Sequence, residues 1–350
     1  MVEINIKETR DRTYNIFKRV GLTDEDAAIM ADILTLTEVR GISTHGYVRV
    51  KNYVKGILGG GMNRDNELTF AYDSPSWALV DGKEGLGIVL SYKAAKVAIE
   101  KAKETGVGIV SIRGSHHNGA VGHYASMIAD AGMFGMSMSN GSAMVAPTGA
   151  RQAGIGNNPF AYAAPAGKYG NVLFDVAMSM VSDMKIIQLR DKGLPMPDNW
   201  AIRRDNGQPT TDPNDYTSGN AVLVPFGGHK GYGLAIMVEI MAAALSGAYM
   251  LRHVNSWSMT PEKIGNTGHF IMALDPSKLM PEEEFVSRME TMVTELKERE
   301  RVDENKEILV PGELERNREA AAKATGKIMV LENNLLMLDR AEELLAEAGL

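Results

Sequence analysis

Apolar residues recur at helical spacing near both ends of the chain and fall into short continuous runs in the middle. Lys7 to Arg19 reads as a helix that stops before Gly21. Thr23 with Asp26 three residues on has the form of a helix start, and Ala27, Met30, Ala31, Ile33 and Leu34 continue that helix to about Gly41. A glycine turn follows at Gly59-Gly60-Gly61. From Trp77 the pattern changes. Trp77 to Gly82 predicts a strand and turn, Ser91 to Thr105 a helix capped by Gly106, and Val107 to Ile112 a strand. Ala120 to Ala131 predicts another helix and Phe134 to Ser139 another strand. Charged amphipathic helices are expected at Pro281–Arg301 and Glu313–Thr325, and a last helix at Asn333–Ala348.

Strands alternating with helices predict an α/β layered core of mixed α+β character. With helical ends and a mixed middle, the expected organisation is a helical unit built from residues 1–75 plus 300–350, with an α/β unit from 76–299 inserted in it. Tyr232 to Leu251 is apolar apart from Glu239. Its strong apolar residues favour membrane insertion by roughly 0.3–0.6 kcal/mol each, and a mid-helix carboxylate costs about 2–3 kcal/mol. The terms cancel, so a buried core helix is expected and no membrane partner.

Composition narrows the chemistry. The 350 residues hold 37 Lys+Arg and 44 Asp+Glu, a formal net charge of -7, which disfavours nucleic acid as a partner. An anionic ligand must then find local positive charge. There is no cysteine, which excludes disulfides, thiolate catalysis and Cys-ligated metals. The charged start Met1-Val2-Glu3-Ile4-Asn5-Ile6-Lys7-Glu8 has no apolar stretch of a secretory signal, so a cytoplasmic protein is expected.

The dinucleotide fingerprint G-x-G-x-x-G is missing: Gly82, Gly85 and Gly87 stand in the wrong order. Gly227-Gly228-His229-Lys230-Gly231-Tyr232-Gly233 opens a helix, and reads equally as an anion site or as a tight loop needing φ > 0. Three histidine groups lie in small-residue loops at element ends: Ser43-Thr44-His45-Gly46, Gly114-Ser115-His116-His117-Asn118-Gly119, and His229. A histidine so placed can exchange a proton with a substrate hydroxyl near neutral pH, although one taken alone is more often a surface loop residue. Arg49, four residues after His45, offers a planar fork to a carboxylate. A metal held by His45, His117 and Asp175 finds no support in ligand spacing, so none is expected.

Taken in order, Arg40-Gly41-Ile42-Ser43-Thr44-His45-Gly46-Tyr47-Val48-Arg49, His117-Asn118-Gly119-Ala120, Val145-Ala146-Pro147-Thr148-Gly149, Gly156-Asn157-Asn158-Pro159-Phe160-Ala161, Phe174-Asp175-Val176-Ala177-Met178-Ser179, Pro209-Thr210-Thr211-Asp212-Pro213 and the Gly227–Gly233 loop resemble the type-2 malate/L-lactate dehydrogenase family. That family includes ureidoglycolate and sulfolactate dehydrogenases and 2,3-diketogulonate reductase. The resemblance implies a non-Rossmann cofactor-binding sheet, a homodimer, and hydride transfer between NAD (or NADP) and C2 of a small anionic 2-hydroxy or 2-oxo acid. A cyclic 2-imino acid or a diketo sugar acid is the alternative substrate. It implies cofactor contacts at Asp175, Val176, Ala177, His229, Lys230, Pro311, Gly312 and Glu313. It makes His117 and His45 the two candidates for proton donor and acceptor, and places Arg49, Tyr53, Thr44, Asn140 and Ser142 at the substrate. This chain departs from the family pattern at Thr44 (usually Ser), at Asn157 (usually Thr) and in Gly141-Ser142-Ala143, where substrate choice is expected to be set.

Overall fold

Two side-chain caps open the chain's first helices. Asn5 Oδ1 accepts from the Glu8 amide at 3.1 Å and Thr23 Oγ1 from the Asp26 amide at 3.2 Å. The computed structural model describes residues 1–350. In chain order the strands and helices are β1 (Val2–Asn5), α1 (Ile6–Arg19), α2 (Asp24–Val39), α3 (Val50–Leu58), β2 (Thr69–Asp73), β3 (Trp77–Gly85), α4 (Gly87–Thr105), β4 (Val107–Ser115), α5 (Gly122–Asp130), β5 (Phe134–Ser139), β6 (Phe160–Pro165) and β7 (Asn171–Val176). There follow α6 (Asp183–Asp191), β8 (Ala201–Arg203), α7 (Pro213–Thr217), β9 (Ala221–Leu223), α8 (His229–Glu239), β10 (Thr267–Leu274), α9 (Glu282–Lys297), α10 (Glu313–Thr325), β11 (Lys327–Val330) and α11 (Glu332–Glu347).

Seven strands form one sheet in the order β2-β3-β4-β10-β5-β6-β7. Only β3 and β4 pair in parallel; the rest are antiparallel. The first and last strands, β1 and β11, pair with each other and tie the termini together. The terminal helices and the sheet share one core of 35 buried residues, with Phe17, Leu34, Leu338 and Leu345 from the ends and Val80, Val110, Ile112 and Ile271 from the sheet. Each such side chain stabilises the fold by roughly 1.5–3 kcal/mol. The sheet also reaches back to β2, seven residues before the expected start of the α/β unit at 76.

Two expectations need correction. The central strand β10 was not foreseen: it is buried on both faces almost throughout, so it carries no period-two signature. The segment from Tyr232 is not one buried helix. α8 ends at Glu239 and runs into a wider π turn, Ile240–Ala244. One side buries Gly231, Ala235, Val238 and Ala242, while Leu234, Ile236, Ile240 and Leu245 stay 37–49% exposed. Glu239 itself is buried, and its carboxylate accepts from Asn158 Nδ2 at 2.7 Å, from the Leu251 amide at 2.8 Å and from Asn140 Nδ2 at 3.3 Å. The charge is thus kept as a tie between three segments. No helix is long and apolar enough to cross a membrane.

Candidate active site

The strand β4 ends at Ser115, and the next residues cross the mouth of the sheet before α5 begins. Glycine permits this crossing: a Cβ on Gly87 would collide with the His116 carbonyl and lie 2.8 Å from His117 backbone. Tyr124 donates to the Asn118 carbonyl and Asn118 Nδ2 to Ser91 Oγ at 3.2 Å, which fixes the loop from below. The result is that His117 opens into a cavity of about 430 Å³.

His45, Arg49 and Thr44 reach the same cavity from the turn between α2 and α3. That turn is held by Glu38, which the sequence reading missed. Its buried carboxyl accepts from the Tyr47 amide at 2.9 Å and from Asn334 Nδ2 at 2.6 Å. Burial raises Glu38 to about 7 against these two donors. A Cβ on Gly46 would strike Glu38, so this glycine allows the close approach. Within the turn Thr44 Oγ1 bonds His45 Nδ1 at 2.8 Å, and Arg49 Nε donates to the Thr44 carbonyl at 2.7 Å.

Arg49 is 9% exposed and no carboxylate pairs with it; Asp183 acts on it only at longer range. A buried guanidinium with free nitrogens facing a cavity is an anion receptor waiting for its partner. Beside it the rings of His45 and His117 lie 5.4 Å apart and 23° from parallel. Burial, then the Arg49 charge, lowers His45 to about 3. Burial first, then His45 and Arg49, holds His117 well below the ordinary imidazole range. Both rings are neutral in the free protein at neutral pH.

Tyr53 was expected at the substrate. It stands instead behind His117, fully buried, with its hydroxyl 2.7 Å from His117 Nδ1. The Gly119 amide also points its proton at Nδ1, at 3.3 Å. The Tyr53 hydroxyl can donate to Nδ1 or accept from it, so it holds that nitrogen in either tautomer and leaves Nε2 as the edge toward the cavity. When Nδ1 carries a proton, the Tyr53 hydroxyl can turn to its second acceptor, the His117 carbonyl at 3.5 Å. His117 is therefore supported in either tautomer.

Of the other expected site residues, Ser142 lines the cavity and makes no hydrogen bond inside the protein. Asn140 lines it too, but its amide is occupied: Nδ2 donates to the Tyr249 carbonyl at 2.8 Å and Oδ1 accepts from the Gly268 amide at 2.9 Å. It shapes the wall rather than offering a free group. Farther along the cleft lie Asp175, Ala177, Pro311 and Gly312. Asp175 Oδ2 accepts from the Gly122 amide, at the N-terminus of α5, at 2.9 Å. Val176 and Glu313 stand back from the cavity. Val176 packs into a side cluster, and Glu313 pairs with Lys297 at 2.7 Å while accepting from the Val310 amide, which holds the Pro311 turn. His229 and Lys230 sit exposed on the first turn of α8, outside the cavity.

The cleft is long: it runs from His45 and Arg49 past the start of α5, where the Asp175 carboxylate takes the Gly122 amide, to Pro311 and Gly312. A family model described as malate/L-lactate dehydrogenase matches residues 4–338. This chain belongs to that family. It is 41% identical over 318 residues to the malate dehydrogenase of Pyrococcus horikoshii, covering 88% of this chain and 87% of that protein. It is 32% identical to the ureidoglycolate dehydrogenase (NAD(+)) of Escherichia coli K12 over 278 residues, 79% of this chain and 78% of the other. The solved sulfolactate dehydrogenase of Methanocaldococcus jannaschii superposes with a TM-score of 0.90 at 31% identity, covering 100% of this chain and 98% of that one. The dehydrogenase is an oxidoreductase that moves a hydride between a nicotinamide cofactor and C2 of a small hydroxy or oxo acid. The missing fingerprint agrees with the sheet, which is mostly antiparallel rather than doubly wound.

Proposed function

We propose that this dehydrogenase uses NAD and acts on a short 2-hydroxy/2-oxo acid whose carboxylate sits on Arg49 and whose C2 oxygen faces His117 Nε2. The buried, unpaired guanidinium of Arg49 beside the free Nε2 edge of His117 is the observation that carries this reading. The nicotinamide ring, when bound, supplies or takes the hydride. In oxidation His117 Nε2 takes the hydroxyl proton while Nδ1–H donates to Tyr53. In reduction the protonated His117 Nε2 gives the proton back. Neutral His45 steadies the substrate oxygen by a hydrogen bond. Ser142, with Asn157, Ser256 and Ser258 on the same wall, offers neutral donors to the group beyond C3. A second carboxylate, as in malate, or a ureido group satisfies such a wall.

Asp175, Ala177, Pro311 and Gly312 would hold the cofactor. Asp175 and Glu315 along this cleft favour ribose hydroxyls over an added phosphate, which is the ground for NAD over NADP. The exposed apolar residues of α8 and the turn after it, Leu234, Ile240 and Leu245, support a homodimer. Its proposed place is the cytoplasm. The test is oxidation of NADH and NADPH with the 2-oxo acids matching malate, lactate, sulfolactate and ureidoglycolate, and with a cyclic 2-imino acid. Turnover of oxaloacetate or the ureido acid with NADH is expected. A response to the imino acid alone moves the enzyme to the reductase reading, which a relative named Delta(1)-pyrroline-2-carboxylate/Delta(1)-piperideine-2-carboxylate reductase, 30% identical, also supports. Sedimentation at two concentrations checks the dimer.

A further inference from the structure

Trp257 belongs to none of the motifs that carry the chemistry, yet it touches most of the groups that perform it. It lies in the segment between α8 and β10 and lines the cavity. Its indole stacks on the His117 ring with centroids 3.9 Å apart and planes 8° from parallel. The Arg49 guanidinium carbon lies 5.2 Å from the same indole, and the Tyr53 ring 5.3 Å away at 28°. The segment is pinned on several sides. Asn52 Nδ2 donates to the Ser258 carbonyl at 3.1 Å, and Asn255 Nδ2 to the Ile264 carbonyl at 2.8 Å. The Gly265 and Asn266 amides both donate to Glu84 Oε2 at 3.0 Å.

These contacts leave His117 one free edge. Trp257 covers one face, His45 lies toward the other, and Tyr53 holds Nδ1. The ring cannot tilt unless the indole lifts. Arg49 rests on that same indole, so acid/base and carboxylate anchor share a support. Resting on the roles proposed above for His117 and Arg49, we propose that Trp257 is a positioning residue of the hydride-transfer site. It fixes the plane of His117 and the guanidinium of Arg49 relative to each other, so that one substrate meets both in register. Misplacing such a pair by an ångström costs up to ~10²-fold in rate. The indole also keeps water from His117, and removing it relieves part of the burial that lowers the imidazole.

Two variants and one ligand-free measurement test this. Trp257→Ala is expected to lower kcat roughly 10-fold or more, raise the KM of the oxo acid several-fold, and move the acidic limb of the kcat profile upward, toward the ordinary imidazole range. Trp257→Phe keeps an aromatic face and is expected to restore most of kcat and the limb. Separately, with Trp77 and Trp200 replaced by Phe, the emission anisotropy of Trp257 at pH 7 should report an indole held rigid, and His117→Ala should free it. Wild-type kcat and pH profile in folded Trp257→Ala would overturn the proposal, as would a Phe variant no better than Ala. If the wild-type enzyme turns over no oxo acid, the functional reading fails and the anisotropy decides alone: an indole freed by His117→Ala supports the clamp, and an unchanged signal removes it.

Discussion

The loops Gly114–Gly119 and Gly227–Gly233 look alike in one dimension. Each is glycine-rich, each carries histidine and each leads into a helix. In three dimensions they differ in almost every contact. The first is bonded throughout: the Gly114 amide to Asn266 Oδ1 at 2.8 Å, Asn118 to Ser91, and His117 to Tyr53 and Gly119. The second is exposed, and a Cβ on Gly227 or Gly228 would meet nothing within 4 Å. Those two glycines serve φ values of +56° and +65°, and only Gly231, where a Cβ would strike the Phe226 carbonyl, is packed. A glycine-histidine loop is therefore a site when other elements close over it, and a turn when they do not.

Mutations can break or sharpen this contrast. The largest effect is expected from His117→Ala, a fall in kcat of ~10²-fold or more. The same change at His229 should leave kcat near wild type. Steady-state rates with a responding oxo acid decide it, and near-normal turnover in His117→Ala would transfer the role to His45. Next, Arg49→Ala should lower kcat/KM by about 10- to 100-fold, the worth of a charged hydrogen-bonded pair at roughly 1.5–3 kcal/mol, chiefly through KM. Unchanged substrate affinity would take Arg49 out of the site.

A pair of glycine variants comes third. Gly87→Ala must push the His116–His117 backbone and should cost roughly 1–3 kcal/mol of stability together with activity. Gly228→Ala meets no neighbour, but its φ of +65° with ψ of -125° is in practice open to glycine alone, so it should cost roughly 1–3 kcal/mol with kcat unchanged. Chemical denaturation and rates on the same samples separate them. Equal losses of activity would show that the second loop matters to the site.

The pH dependence of stability gives a fourth test. His269 is wholly buried between Ser139 Oγ and Ser115 Oγ, each at 2.9 Å, and burial lowers it to about 3. As pH falls below about 6.5 the unfolded chain takes up a proton that the native one refuses, so this contribution is present above 6.5 and lost toward 3. Between pH 6.5 and 5 the loss is roughly 2 kcal/mol. Burial raises Glu38, which gives the opposite slope between its unfolded value and about 7. Melting curves of wild type and His269→Asn should therefore diverge in slope below pH 6.5; parallel curves would show that His269 is charged in the fold. The smallest effect is expected from Lys230→Ala, a change in cofactor KM of less than about 3-fold, since the side chain lies outside the cavity. A tenfold rise would mean that a second subunit brings this loop to the cofactor.

Much of this was legible in the chain. Caps and spacing marked α1, α2, α4 and α5, because a helix end and a 3.6-residue stripe are local signals. The resemblance named His45, Arg49 and His117, and the fold brings all three to one cavity. Asn140 and Tyr53 were named by nearness to the site, but a sequence position does not tell whether an amide or hydroxyl is already taken by a neighbour. Glu38, Asn334 and Trp257 were missed because each works across 9 to nearly 300 residues of chain, with nothing local to mark it.

The sequence by itself determined the class of protein, the reaction it serves and the side chains that can carry charge and protons, since these follow from residue type and order. Only the tertiary structure decided which of two similar loops lines the cavity, which nitrogen of His117 faces it, and that Arg49 stands buried without a partner. Those properties arise from desolvation and from contacts between segments far apart in the chain, and neither exists until the segments have packed.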